Sequence, residues 1–69
     1  MNSGTVKWYN NHKGYGIIIN DADGQELFVH FSDINVYGFK ELTEDQKVTF
    51  DIQKDEGARM SKAVNVTPK

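Results

Sequence analysis

The sequence predicts an all-β fold, a small closed barrel of five strands with no substantial helix. Apolar residues recur mainly at every second position, which is the period of a β-strand, and no long segment carries a helical stripe. The chain has 69 residues and no cysteine, so a hydrophobic core must hold the fold without disulfides. We therefore expect residues 1–69 to form a single domain.

Five short segments have the composition and the alternation of strands. They cover residues 5–10, 15–20, 26–31, 48–54 and 61–67, and Pro68 is predicted to end the last one. The clearest alternation places Val48, Phe50 and Ile52 inward and the residues between them outward. Residues 21–24 end in Asp-Gly, a pair that accepts positive φ, and they predict a tight hairpin turn.

The longest break between predicted strands covers residues 32–47. Thr43 and Gln46 have the spacing of a capping box, but the segment allows no more than a helical turn. Five short strands with a long link after the third are typical of the OB-fold, whose open face binds oligonucleotides. We predict an antiparallel, OB-fold-like barrel.

Rings and aliphatic side chains separate onto opposite faces of the predicted strands. In the third strand, alternation places Phe28 and His30 on one face. It places Leu27, Val29 and Phe31 on the other. A barrel interior favours the aliphatic face, so the rings are predicted to face solvent, where they would mark a binding surface. In the second strand, the same alternation places Tyr15 and Ile17 outside and Ile18 inside.

The first strand leaves Trp8 unassigned. Trp8 shares a face with Val6, a core candidate, so only a bulge or a local twist would bring its ring to the outer face. Phe50 is assigned to the core, whereas the pattern assigns Tyr9 and Tyr37 to neither face. In an alternative interpretation, all the rings belong to the core. Rings that lie on adjacent strands, opposite the aliphatic residues, instead favour a position on the surface.

Charge is distributed unevenly along the chain, whose net charge is −2. Residues 1–20 carry two lysines and no acid (+2), residues 21–56 carry ten acids and three lysines (−7), and residues 57–69 carry three cations (+3). The acidic total argues against a nucleic-acid partner. If folding brings the two basic ends together, however, one face of the protein is positive and can attract an anion.

Lys7 and Lys13 stand beside rings in the sequence, and two more cations, Arg59 and Lys62, lie near the last strand. Rings flanked by cations suit single-stranded nucleic acid. Every base has a face that can stack, and the phosphates need only a few cations. A second class of ligand also fits the rings, because an aromatic groove suits proline-rich peptides in the extended polyproline conformation. Phosphates require cations around the rings and such peptides do not, so the charge pattern favours nucleic acid.

The sequence does not predict catalysis or metal binding. His12 and His30 could act as an acid and a base, but no carboxylate is placed to orient either. Two histidines without cysteine fall short of a tetrahedral ligand set, so we expect no catalytic residue, metal, cofactor or small-molecule substrate. Without a targeting pattern or a long apolar run, we expect a cytoplasmic protein with no membrane partner.

Several segments together resemble the bacterial cold-shock proteins. Residues 13–16, KGYG, fit the start of a ribonucleoprotein motif. The segments GTVKWYN, LFVHFSDI, GFK and AVNV, which begin at residues 4, 27, 38 and 63, have the order and spacing of that family and extend the resemblance over essentially the whole chain. We expect a monomer. The resemblance implies a five-stranded antiparallel barrel that binds single-stranded RNA and DNA with little sequence preference. It also implies an RNA chaperone that discourages duplexes.

Carried over position by position, the family's nucleic-acid contacts fall on nine residues. They are Lys7, Trp8, Lys13, Tyr15, Phe28, His30, Phe31, Phe39 and Arg59. The resemblance thereby places Trp8 on the binding face and turns Phe31 outward where the third strand ends. The chain departs from the family at Ile17, where a Phe is usual, in a longer turn over residues 21–25, and in residues 59–62, which replace a Gly-Pro-Gln. The Ile17 departure implies a ring missing from the middle of the face.

Overall fold

Five strands account for most of the chain in a computed structural model, which describes residues 2–35, 42–54, 57 and 59–69. The strands are β1 (Asn2–Asn10), β2 (Tyr15–Asn20), β3 (Glu26–His30), β4 (Lys47–Gln53) and β5 (Lys62–Pro68). One 3₁₀ turn, Phe31–Asp33, follows β3. The described residues contain no α-helix, and none of them forms a helix long and apolar enough to cross a membrane.

The strands close into a barrel in the order β1-β2-β3-β5-β4, with β4 returning to β1. Four of the neighbouring pairs are antiparallel, whereas β3 and β5 run parallel, with Phe28 opposite Lys62. The prediction of an antiparallel barrel is wrong at this seam. The reason is geometric: strand direction cannot alternate all the way around a closed ring of five, because five is odd.

The predicted strands lie where the structure has strands, with differences at their ends. β1 begins at Asn2 rather than residue 5, because residues 2–5 pair with β4, whereas residues 4–10 pair with β2. β3 ends at His30, where the 3₁₀ turn begins. Pro68 does not stop β5 but forms its last residue, opposite Val48. The predicted hairpin is confirmed: Gly24 has φ +74°, and its N–H donates to the Asn20 carbonyl at 2.7 Å.

The core fills the inside of the barrel with aliphatic side chains around one ring, Phe50. The predicted core residues Ile18, Leu27, Val29, Val48 and Phe50 are all at most 1% exposed. Tyr9, which the sequence pattern assigns to neither face, is partly buried against this core, as is Ile52. Tyr37 lies outside the described residues. The core cluster comprises Val6, Ile18, Leu27, Val29, Ile34, Leu42, Val48, Phe50, Ala63 and Val66.

Candidate nucleic-acid interface

A β-bulge in β1 turns Trp8 to the outside of the barrel. Val6 pairs with Ile18 of β2 and Trp8 pairs with Ile17, so two steps along β1 correspond to one step along β2. The extra residue, Lys7, reverses the alternation: Val6 is fully buried and Trp8 is 39% exposed. This is the bulge that alternation required before the ring could reach the outer face.

Three rings on three adjacent strands contact one another on the outer surface. The ring centroids of Trp8 and Tyr15 are 5.7 Å apart at an interplanar angle of 78°, and those of Tyr15 and Phe28 are 5.9 Å apart at 23°. The first pair is edge-to-face and the second is stacked, which are the arrangements that aromatic pairs favour. Each ring therefore restrains its neighbour in a surface position.

His30 and Phe31 form a second ring pair at the end of β3, with centroids 4.4 Å apart. His30 is the register partner of Tyr15, so this pair adjoins the first three rings. His30 Nδ1 lies 3.0 Å from Ser32 Oγ and accepts the Ser32 backbone N–H at 3.4 Å, which orients the imidazole. We call these five rings the aromatic face: Trp8, Tyr15, Phe28, His30 and Phe31.

Phe31 reaches its outward position because Gly14 has no side chain. The Phe31 N–H donates to the Gly14 carbonyl at 2.8 Å. A Cβ on Gly14 would lie 2.7 Å from Phe31 Cδ1, and Gly14 also has φ +77°, in the left-handed region. The ring is 46% exposed. The resemblance-based prediction that Phe31 turns outward is therefore right about its position.

Ile17 is buried, at 8% exposure, although it lies outside the core cluster. Its register partners on the two neighbouring strands are Trp8 and Phe28, and opposed residues of paired strands share a face. Alternation therefore placed Ile17 on the same face as these rings, but its side chain is buried rather than exposed. The missing Phe does not leave an open gap at the surface.

The predicted cations lie in the β1 bulge, in the turn before Tyr15 and between β4 and β5. Lys7 occupies the bulge, and its Nζ lies 3.5 Å from Glu26 Oε2 in an exposed pair of the kind that contributes little to stability. Lys13 lies in the turn before Tyr15, where the Asn10 side chain accepts its backbone N–H at 3.0 Å. Lys13 and Arg59 are exposed. Phe39, the ninth predicted contact, lies outside the described residues.

The structure also brings to this face a lysine that the sequence-based site did not include. Lys62 of β5 is the register partner of Phe28 across the parallel seam. Alternation could not reveal this neighbour, because it assigns faces within a strand and not partners between strands. As for other chemistry, no group of three or more potential metal ligands occurs in the described part of the chain.

Comparisons with known proteins agree with this architecture. Residues 2–69 match the family described as 'Cold-shock' DNA-binding domain. The chain is 50% identical to Cold shock protein ScoF from Streptomyces coelicolor and 53% identical to Cold shock protein 1 from Lactiplantibacillus plantarum, over 99% of this chain and 98% of each relative. It is 52% identical to the Major cold shock protein of Streptococcus pyogenes over 97% of this chain and 96% of that protein.

A solved structure supports the fold alone. It is that of drosophila Unr CSD456, which superposes with a TM-score of 0.75 at 19% identity, covering 99% of this chain and 26% of that one. The family match and the bacterial relatives, by contrast, cover nearly the whole sequence. The chain thus belongs to the cold-shock domain family, which is known for nucleic-acid binding.

Proposed function

We propose that this protein binds single-stranded RNA and DNA with little sequence preference and acts as an RNA chaperone. Residues 1–69 would act as one domain, as a monomer and in the cytoplasm. The observation that carries the proposal is the aromatic face, in which four rings from three adjacent strands and Phe31 from the following turn lie side by side on the outer surface.

The exposure of these rings supports a stacking role. Trp8 and Phe31 are the exposed large hydrophobic residues of the described chain, at 39% and 46%. A cluster of apolar side chains that water reaches is a typical binding surface. Every nucleobase presents a flat apolar face, and each stacked base contributes about 1 to 3 kcal/mol. Stacking does not require a particular base, which accounts for a low sequence preference.

The proposed contacts divide into rings that stack and cations that meet phosphates. Trp8, Tyr15, Phe28, His30, Phe31 and Phe39 are the proposed stacking residues, and Lys7, Lys13 and Arg59 are the proposed cations. With so few cations, most phosphates face solvent. About three neutralised phosphates, at about −0.7 each on a single strand, give a slope of roughly −2 for log K against log salt.

Chaperone activity follows from the same contacts. A base that lies flat on a protein ring is held away from a complementary strand. Binding the single-stranded form alone shifts the equilibrium away from the duplex by mass action. The effect depends on protein concentration and uses no chemical energy.

The binding experiment is quenching of Trp8 fluorescence by oligo-dT. Trp8 is the only tryptophan, so the signal comes from the aromatic face. We expect strong quenching and a salt slope of roughly −2. A slope steeper than about −5 would show that charge rather than stacking carries the affinity. Binding of a proline-rich peptide that does not change with salt, without quenching by oligo-dT, would support the peptide-binding alternative instead.

The chaperone experiment uses an RNA hairpin with a fluorophore and a quencher at its two ends. We expect the protein to raise fluorescence by opening the stem, and Trp8→Ala to lose most of this activity. Gel analysis should show the RNA intact, which separates opening from cleavage. Oligonucleotide binding without hairpin opening would contradict the chaperone role and leave the binding role standing.

A further inference from the structure

Lys62 and Asp33 form an ion pair where β5 meets the turn after β3. Lys62 Nζ lies 3.7 Å from Asp33 Oδ2, and the two side chains are 37% and 21% exposed. Asp33 Oδ2 is shielded from water and has no hydrogen-bond partner within the described residues. The two charges are therefore close, but the pair lacks the geometry of a hydrogen bond, so the ammonium group has no hydrogen-bond acceptor among the described residues.

The strand register places this ammonium group beside the aromatic face. Lys62 is the register partner of Phe28 across the parallel seam. Ala63, the next residue of β5, is in the core, so Lys62 faces outward, as Phe28 does. Asp33 ends the 3₁₀ turn that begins with Phe31. The ion pair thus lies next to two ring-bearing residues, Phe28 on β3 and Phe31 in the turn that follows it.

We propose that Lys62 contacts a phosphate of the bound strand and that Asp33 weakens this contact by partly neutralising the lysine. The proposal rests on the proposed function, because it requires nucleic acid on the aromatic face. A phosphate offers Lys62 the hydrogen-bond acceptors that the carboxylate at 3.7 Å does not supply. Asp33 places a negative charge beside the same strand, so it opposes phosphate binding while holding the lysine near Phe28.

The experiment compares this pair with a matched ion pair elsewhere on the barrel. Lys47 Nζ lies 3.6 Å from Asp21 Oδ2. Lys47 is the first residue of β4, whereas Lys62 is the register partner of Gln53 at the opposite end of that strand, about 20 Å away at a strand's rise per residue. Lys47→Gln and Asp21→Asn therefore make the same charge changes as Lys62→Gln and Asp33→Asn, at a distant site.

Affinity for oligo-dT is measured by Trp8 quenching over a salt series. Loss of one phosphate contact should make Lys62→Gln bind about fivefold more weakly at about 0.1 M salt, with a slope less steep by about 0.7. Asp33→Asn should tighten binding about two- to fivefold at that salt concentration. Lys47→Gln should weaken binding less than Lys62→Gln does, and Asp21→Asn should change affinity less than Asp33→Asn does, because Lys47 and Lys62 lie about 20 Å apart.

A double variant covers the case in which Lys62→Gln leaves Asp33 unpaired and destabilises the barrel. The double variant Asp33→Asn with Lys62→Gln removes both charges, and its slope should be about 0.7 less steep than that of Asp33→Asn alone. Equal slopes in these two variants, or equal losses for Lys62→Gln and Lys47→Gln, would overturn the phosphate contact while the wild type still binds. Failure of the wild-type protein to bind oligo-dT would overturn the proposed function as well.

Discussion

The two faces of the β1-β2-β3 sheet are built from the same strands but from different kinds of side chain. Toward the barrel interior lie Val6, Ile18, Leu27 and Val29, all completely buried. Toward solvent lie the five rings of the aromatic face, with Trp8 and Phe31 the most exposed. Branched aliphatic groups fill a closed interior, whereas flat rings stay at the surface, where a ligand can reach them. Neighbouring residues of one strand thus face the core and the proposed binding surface alternately.

Of the variants that test this difference between the two faces, Leu27→Ala is expected to have the largest effect. Leu27 is fully buried, and removing it should lower the free energy of unfolding by about 2 to 5 kcal/mol in urea denaturation. The adjacent Phe28→Ala, on the outer face, should cost less than half as much. A small domain without disulfides has only a few kcal/mol in total, so Leu27→Ala should be largely unfolded. Equal losses of unfolding free energy in the two variants would contradict this division between the faces. A free energy of unfolding well above about 8 kcal/mol for the wild-type protein would contradict the low total stability.

Phe28→Ala is expected to weaken binding more than it lowers stability, the reverse of Leu27→Ala. Loss of one stacking ring should weaken oligo-dT binding by about 1 to 3 kcal/mol, or about 5- to 150-fold, as measured by Trp8 quenching. Thr67→Ala is the control, because Thr67 is exposed on β5 and belongs to neither face. An affinity for Phe28→Ala equal to that of Thr67→Ala would show that the ring does not stack on bases.

Gly14→Ala tests whether the position of a ring can be changed without touching the ring. The variant strains a backbone with φ +77° and pushes a Cβ against Phe31, whereas Gly24→Ala strains a similar backbone, φ +74°, in open space. Both should lower the free energy of unfolding by about 1 to 3 kcal/mol. Gly14→Ala alone should also weaken oligo-dT binding. Equal affinities in two folded variants would mean that the Phe31 position does not matter.

The smallest effect is expected from Ile17→Phe. A ring between Trp8 and Phe28 would add a flat surface, but Ile17 is 8% exposed and the new ring must share space with its neighbours. We expect binding to tighten by a few tenths to about 1 kcal/mol, within the range for one stacked base. Ile19→Phe, two residues further along β2, is the control and should leave affinity unchanged. No change in Ile17→Phe would show that the covered position offers no stacking surface.

Much of the fold could be predicted because alternation reports which face a residue occupies. The core positions of Ile18, Leu27, Val29 and Phe50 follow from that period alone. Alternation fails where the register changes, as it does at the bulge before Trp8, where only the resemblance to known sequences supplied the answer.

Partners between distant strands could not be predicted, because local patterns do not encode register. The parallel seam and the position of Lys62 beside Phe28 depend on how the ring of strands closes. The residues opposite Ile17 on its two neighbouring strands, Trp8 and Phe28, likewise follow from register and not from the local pattern. The roles of the predicted contacts remain predictions, and Phe39 lies outside the described residues.

The parallel seam also has a consequence for the order of folding. β1, β2 and β3 are joined by short turns, whereas the seam joins β3 to the last strand and must close a much longer loop. Contacts between residues close in sequence form faster than distant ones, and the N-terminal part of a chain leaves the ribosome first. We therefore expect the sheet that carries the rings to take shape before β5 completes the barrel. A newly made chain then exposes both faces of that sheet for a time.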